Sequence, residues 1–204
     1  VIAAYTWDEG KITKAEIGPD AISIDKNAIC AAGGAENTMG AGPGVKGTPF
    51  NLEIAPVKDL NLGGIDVSLD YRKSESTCSF FSRGNEFSFG MKEGKLSVAY
   101  QLKTEGKKPE TISEVTRYEV PADEEYRNYR FIYNPQKGKA EIFVNNVVIW
   151  SHESGPNRQM NWNEDASRVI GRDMKGNGSG KPCIDNAAHR YSDHAKTCSN
   201  SVCA

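Results

Sequence analysis

Asp66 and Asp70 stand four residues apart in Ile65-Asp66-Val67-Ser68-Leu69-Asp70-Tyr71, so on a strand their side chains share a face with Ser68. Retaining glycoside hydrolysis needs two carboxylates roughly 5–5.5 Å apart, one as nucleophile and one as acid/base. A paired acid can also have its pKa raised. A half-buried strand more often carries such aspartates as a plain solvated face, and no residue is assigned a catalytic role. A second cluster closes the chain as His189-x4-His194-x3-Cys198-x4-Cys203. Two imidazoles and two thiolates can hold zinc tetrahedrally, but the spacing is looser than that of a finger. In an oxidising compartment a Cys198–Cys203 bond, or a bond to the core, competes for the same thiols. The glycines of Ala31–Thr48 lack the strand before, the helix after and the Lys-Ser/Thr that a phosphate loop requires. No His-Glu-x-x-His or Gly-x-Ser-x-Gly string occurs. Asn177-Gly178-Ser179 is a lone glycosylation sequon in a Gly-rich turn.

Aromatic side chains are the remaining groups suited to recognition, because a flat apolar ring stacks on a sugar face or anchors a protein partner. Trp150 ends an apolar run and is expected to pack in the core. Trp162 lies between Asn161 and Asn163 in a polar segment and is expected to be the exposed, ligand-binding one.

These residues must be positioned by strands. Ile65, Val67, Leu69 and Tyr71 alternate with Asp66, Ser68 and Asp70, the period of a half-buried strand. Val1–Trp7, Ala21–Ile24, Phe50–Ile54, Cys78–Phe81, Glu86–Phe89, Lys95–Leu102, Thr111–Glu119, Tyr129–Asn134, Ala140–Val144, Val147–Trp150 and Arg168–Ile170 read as further strands. Gly84-Asn85, Glu93-Gly94, Pro135–Gly138 and Asn145-Asn146 read as the turns between them. Ala31–Thr48 reads as an extended loop, since glycine admits positive φ. No stretch keeps a helical period over three turns. Many short strands at a spacing of about 8–12 residues indicate a sandwich or barrel.

The 204 residues suit one all-β unit. With 25 basic and 27 acidic residues the formal net charge is -2, which gives no single-sign excess for nucleic acid. No apolar run is long enough to insert into a membrane. The chain opens on Val1, which fits either a piece cut from a longer chain or a mature form after signal removal. Cys30, Cys78, Cys183, Cys198 and Cys203 in a Gly-rich β protein favour one or two disulfides and an oxidising compartment. The odd count leaves one thiol over, and the connectivity stays open.

Several segments carry a resemblance. Val1–Gly10 resembles the opening strand of LamG-like jelly rolls of the concanavalin A-like lectin/glucanase superfamily, an apolar strand with an aromatic and then Asp-Glu-Gly. Asp20–Ile24, Phe80–Gly84 with Phe87–Gly90, and Tyr126–Tyr133 with Gly138–Asn145 are similar to its inner strands and central hairpin. Val169-Ile170-Gly171-Arg172 and Cys183-Ile184-Asp185-Asn186 are similar to its closing strands. The resemblance implies a two-sheet antiparallel jelly-roll sandwich with first and last strands side by side. In many relatives a structural calcium sits near that seam, and Asp8 and Asp185 match the acidic positions. The Glu-x-Asp-x-x-Glu string of the family's glucanases is absent. Residues 1–188 are expected to form the jelly-roll domain and 189–204 a polar, cysteine-containing tail. The function the resemblance implies is a secreted or cell-surface binding module for glycan or an extracellular protein, adhesin domains among them. A polysaccharide-active hydrolase or lyase and a structural spacer are the alternatives.

Overall fold

In the computed structural model of the chain Lys95–Leu102 is buried at every second residue, from Leu96 to Leu102, whereas Ile65–Arg72, expected to be half-buried, is buried on both faces apart from Asp70. The structure describes residues 3–5, 13–24, 29–31, 44–46, 52–56, 62–73, 76–123, 125–163, 165–170 and 183–190. Their secondary structure is strand and turn, without helix.

One sheet has eight strands: β1 (Ala3–Tyr5), β3 (Ile29–Ala31), β4 (Gly44–Lys46), β6 (Ile65–Arg72), β11 (Arg127–Asn134), β12 (Lys139–Val144), β13 (Val147–Glu153) and β15 (Cys183–Arg190). Its order is β13-β12-β11-β6-β15-β4-β3, with β1 also paired to β15. The other sheet has seven: β2 (Ala21–Ile24), β5 (Leu52–Ile54), β7 (Cys78–Arg83), β8 (Phe87–Lys92), β9 (Lys95–Leu102), β10 (Glu110–Glu119) and β14 (Arg168–Ile170). Its order is β10-β9-β8-β7-β14-β5-β2. The pairings are antiparallel. The expected two-sheet antiparallel sandwich is thus the architecture, and β1 lies beside β15 with Tyr5 opposite Ala187.

The two sheets meet through aromatic rings. Tyr71 of β6 packs on Phe80 of β7 with centroids 4.8 Å apart, and Phe131 of β11 meets Phe87 at 5.5 Å and Tyr100 at 5.6 Å. Such tilted pairs add to the apolar burial that drives the sheets together. Cys78 is part of this core; the side chains of the other four cysteines lie outside the described residues.

The short turns carry the registers. Glu93 (φ 50°) and Gly94 (φ 81°), and likewise Asn145 (φ 48°) and Asn146 (φ 66°), are two-residue turns with both φ positive, whose twist matches that of the flanking strands. After Asn134 the chain folds over its own side chain, whose Oδ1 accepts from the N–H groups of Gln136 and Lys137.

Two expectations change. Ala31–Thr48 is not loop throughout: Gly44–Lys46 pairs with Ile29–Ala31, Cys30 opposite Val45, and Val45 also stands opposite Ile184 of β15. A three-residue strand gains its place from sheet neighbours rather than from its own periodicity. At the other end, β15 continues through Arg190, with His189 opposite both Ala3 and Val67, so the expected boundary at 188/189 falls inside a strand.

Candidate functional site

At one end of the seven-stranded sheet, β9 gains a short neighbour. Met160 bridges Leu102, the Lys103 N–H donates to the Gln159 carbonyl at 2.8 Å, and the Asn161 N–H donates to the Gln101 carbonyl at 2.9 Å. The Asn161 and Gln101 side-chain amides also join, Nδ2 to Oε1, at 3.1 Å. Residues 159–161 thereby stand as a wall facing the loop 103–109 between β9 and β10.

Arg158 ties that wall to four other parts of the fold. Its guanidinium donates to Glu110 Oε2 at 2.6 Å and to Thr104 Oγ1 at 3.2 Å. Its N–H donates to the Pro135 carbonyl at 3.1 Å, and its own carbonyl accepts from the Tyr133 hydroxyl at 2.9 Å. The preceding Asn157 holds φ at 60°, a left-handed conformation that asparagine tolerates, and its N–H donates to the Gln136 carbonyl. Below Arg158 the phenols of Tyr100 and Tyr133 are pushed up to about 12, by burial first in both cases. Both therefore stay neutral at any physiological pH.

Between the two walls lies an open cleft of about 850 Å³. Lys103, Glu105, Lys107 and Glu110 line one side. Asn157, Arg158, Gln159 and Asn161 line the other. The volume falls within the roughly 300–1,000 Å³ of small-ligand sites. The lining side chains are amide and charged apart from Thr104 and Pro109.

Trp162 follows directly after this wall and is half-buried rather than exposed. Its indole N–H donates to the Leu62 carbonyl at 2.5 Å, its edge meets Phe87, and the Arg83 guanidinium lies 4.7 Å from its ring centroid. A ring so anchored cannot swing to meet a ligand; what it offers is its remaining open surface. Trp150 packs against the core as expected, with its ring parallel to that of His152.

The aspartate pair of β6 is engaged within its own sheet. Arg130 Nε and NH2 donate to the two oxygens of Asp66 at 2.8 and 2.5 Å, and Asn128 Nδ2 donates to Asp70 Oδ1 at 2.7 Å. Asp66 is buried, so the face expected to be solvated is covered there. Asp8 lies outside the described residues, and of Asp185 only the backbone is described: it stands opposite Asp70 across β15 and β6. His194, Cys198, Cys203 and the Asn177 sequon also lie outside the described residues. Among the described residues no cluster of three His, Cys, Asp or Glu side chains could hold a metal ion, and no helix is long and apolar enough to cross a membrane.

The cleft itself is invisible to motif reading. Arg158 meets Glu110 and Thr104 from 48 and 54 residues away. The only local signals are loop-forming residues: Gly106 and Pro109 on one wall, Gly155-Pro156-Asn157 before the other.

No family model and no curated protein matches the chain. Solved structures match its fold at low sequence identity. Domain 4 of AbnA, a GH43 extracellular arabinanase from Geobacillus stearothermophilus, solved with arabinotriose, has a TM-score of 0.65 at 14% identity over 91% of this chain and 89% of that one. The binding domain of botulinum neurotoxin serotype D has a TM-score of 0.63 at 10% identity over 92% of this chain and 47% of that one. The binding domain of Paraclostridial Mosquitocidal Protein 1 has a TM-score of 0.57 at 11% identity over 92% and 48%. The chain thus spans about half the length of the toxin binding domains and nearly all of the arabinanase domain. These likenesses establish its fold, a β-sandwich shared with binding domains of otherwise unlike sequence.

Proposed function

We propose that this chain is a glycan-binding module of the LamG-like jelly-roll type, secreted or displayed at a cell surface, adhesins being one setting for such a domain. One observation carries the reading: two loops, tied together by Arg158, border an open cleft lined mainly by polar side chains, and the anchored Trp162 follows its last lining residue. Side-chain amides of Asn157, Gln159 and Asn161 can donate to and accept from sugar hydroxyls, and pre-ordered walls lower the entropy lost on binding. A sandwich of similar fold and matching length was solved with a bound arabinotriose, which supports carbohydrate ahead of protein as the ligand class. Fold alone does not dictate function, so the cleft bears the weight.

A glycan array, followed by calorimetric titration of the hits and of arabino-oligosaccharides, tests this. Saturable binding is expected, with Gln159→Ala combined with Asn161→Ala weakening it about tenfold or more, the loss of one to two hydrogen bonds. Absence of saturable binding to any glycan would overturn the reading.

The structural calcium implied at the Asp8–Asp185 seam belongs to the same proposal. The register that sets Asp185 opposite Asp70 supports it, since calcium takes six to eight oxygen ligands and like charges across a sheet otherwise repel. Calcium is expected to raise the melting temperature and a chelator to lower it, by binding the native state alone. An unchanged melt would remove calcium from the account and leave the cleft untouched.

A further inference from the structure

We propose that the cleft selects glycans bearing anionic groups, carboxylate or sulfate, over neutral ones; the proposal rests on the glycan-binding reading above. The argument is a balance of charge at the two walls. Arg158 and Glu110 both line the cleft, but they are bonded to each other at 2.6 Å and largely cancel as seen by a ligand. What remains among the lining side chains is Lys103 and Lys107 against Glu105, a net positive site. The loop that carries them reads Lys103-Thr104-Glu105-Gly106-Lys107-Lys108, three lysines to one glutamate, in a chain whose formal net charge is -2. Lys103 and Lys107 line the cleft and are both exposed, so their ammonium groups are open to a ligand there, and the exposed Lys108 follows them on the same loop.

Geometry assigns the two walls different tasks. The Gln159–Asn161 wall is pinned to β9 through backbone and amide hydrogen bonds, which suits orientation of hydroxyl groups. The lysine wall hangs from β9 and β10 and is joined to its opposite through the Lys103 N–H on the Gln159 carbonyl and through Thr104 and Glu110, both on Arg158. Lysine acts as a point charge on a flexible stem, so it attracts an anion without demanding one fixed geometry. A positively charged cleft also gathers anionic ligands from a distance, an attraction that salt screens over a Debye length of about 10 Å at 0.1 M.

The test titrates the whole chain with three oligosaccharide probes of equal length: oligogalacturonate, its fully methyl-esterified neutral form, and a sulfated neutral oligosaccharide. Each is measured at about 20 mM and about 200 mM salt, a range over which the Debye length contracts severalfold. The expected result is binding of at least one anionic probe tenfold or more tighter than the neutral ester, with that advantage shrinking at high salt. Lys103→Gln with Lys107→Gln should remove the advantage, so that the anionic probes bind no tighter than the neutral one. Response to the carboxylated probe alone assigns the charge to uronate, response to the sulfated probe alone assigns it to sulfate, and either supports the proposal. Equal affinity for neutral and anionic probes, or an anionic preference that the lysine variants retain, would overturn the charge inference while the glycan reading stands. Binding of no probe would overturn the charge inference, and the array decides the glycan reading separately.

Discussion

Single positions in this sandwich are set by contacts that their own sequence neighbourhoods do not announce. Gly90 sits in β8 where a Cβ would lie 2.3 Å from the Cys78 carbonyl oxygen and 2.8 Å from Ser79 Cα, both backbone atoms of the neighbouring strand at its bulge. Gly90→Ala must push β7 and β8 apart, and a loss of about 2–3 kcal/mol is expected, as for overpacking of a tight core; urea unfolding measures it, and a neutral result would mean that the bulge relaxes freely. Asp66 shows the same point for charge. Its carboxylate is held by Arg130 in a largely buried pair, side chains 8% and 30% exposed. Removing one partner leaves an uncompensated guanidinium, so Asp66→Asn should cost about 3 kcal/mol, whereas Asp66→Asn with Arg130→Met should recover part of that. A single-variant loss below about 0.5 kcal/mol would show the pair to be solvent-screened instead. The alternation Asp66-x-Ser68-x-Asp70 was legible in the sequence, but not that Arg130, 64 residues away, would occupy the first carboxylate.

Strands and turns were far more legible than sites. Period-two alternation located β6, short strand-like runs between turn signals located β9, β11 and β12, and the Glu93-Gly94 and Asn145-Asn146 pairs supplied the positive φ angles that their hairpins require. What escaped were strands too short to show a period: β3 and β4 each have three residues and pair with each other, and β4 is joined to the sheet by β15, far along the chain. The cleft escaped for a related reason, since each wall is an unremarkable loop until Arg158 joins them. At this scale the central strand β11 is the most sensitive element. Phe131 packs on Phe87, Phe89 and Tyr100 of the opposite sheet. Phe131→Ala should therefore cost about 3–5 kcal/mol. Thermal and urea unfolding check this, and a loss under about 1 kcal/mol would contradict the contact between sheets described above.

Across the whole molecule, the buried tyrosines set a limit at high pH. Tyr100 and Tyr133 move from the ordinary 10.0 to about 12, and burial pushes Tyr5 and Tyr129 up as well. A folded-state pKa above the unfolded value means the folded chain holds its protons more tightly. That stability is complete below pH 10 and is lost as pH rises toward about 12. Urea midpoints should fall steeply between pH 10 and 12, with tyrosinate absorbance appearing together with unfolding; ionisation of all tyrosines near pH 10 in the folded chain would contradict the core. Sandwiches of this shape occur in a domain of an arabinanase and in the binding domain of a botulinum neurotoxin, so fold alone does not dictate function and the proposed function rests on the loop-end cleft. The most direct measurement of that claim is an NMR titration of the isotopically labelled chain with the tightest glycan from the array. The account predicts shift changes confined to Lys103–Glu110 and Asn157–Trp162, saturating together. Changes centred instead on the outer faces of the sheets, with the cleft silent, would contradict it.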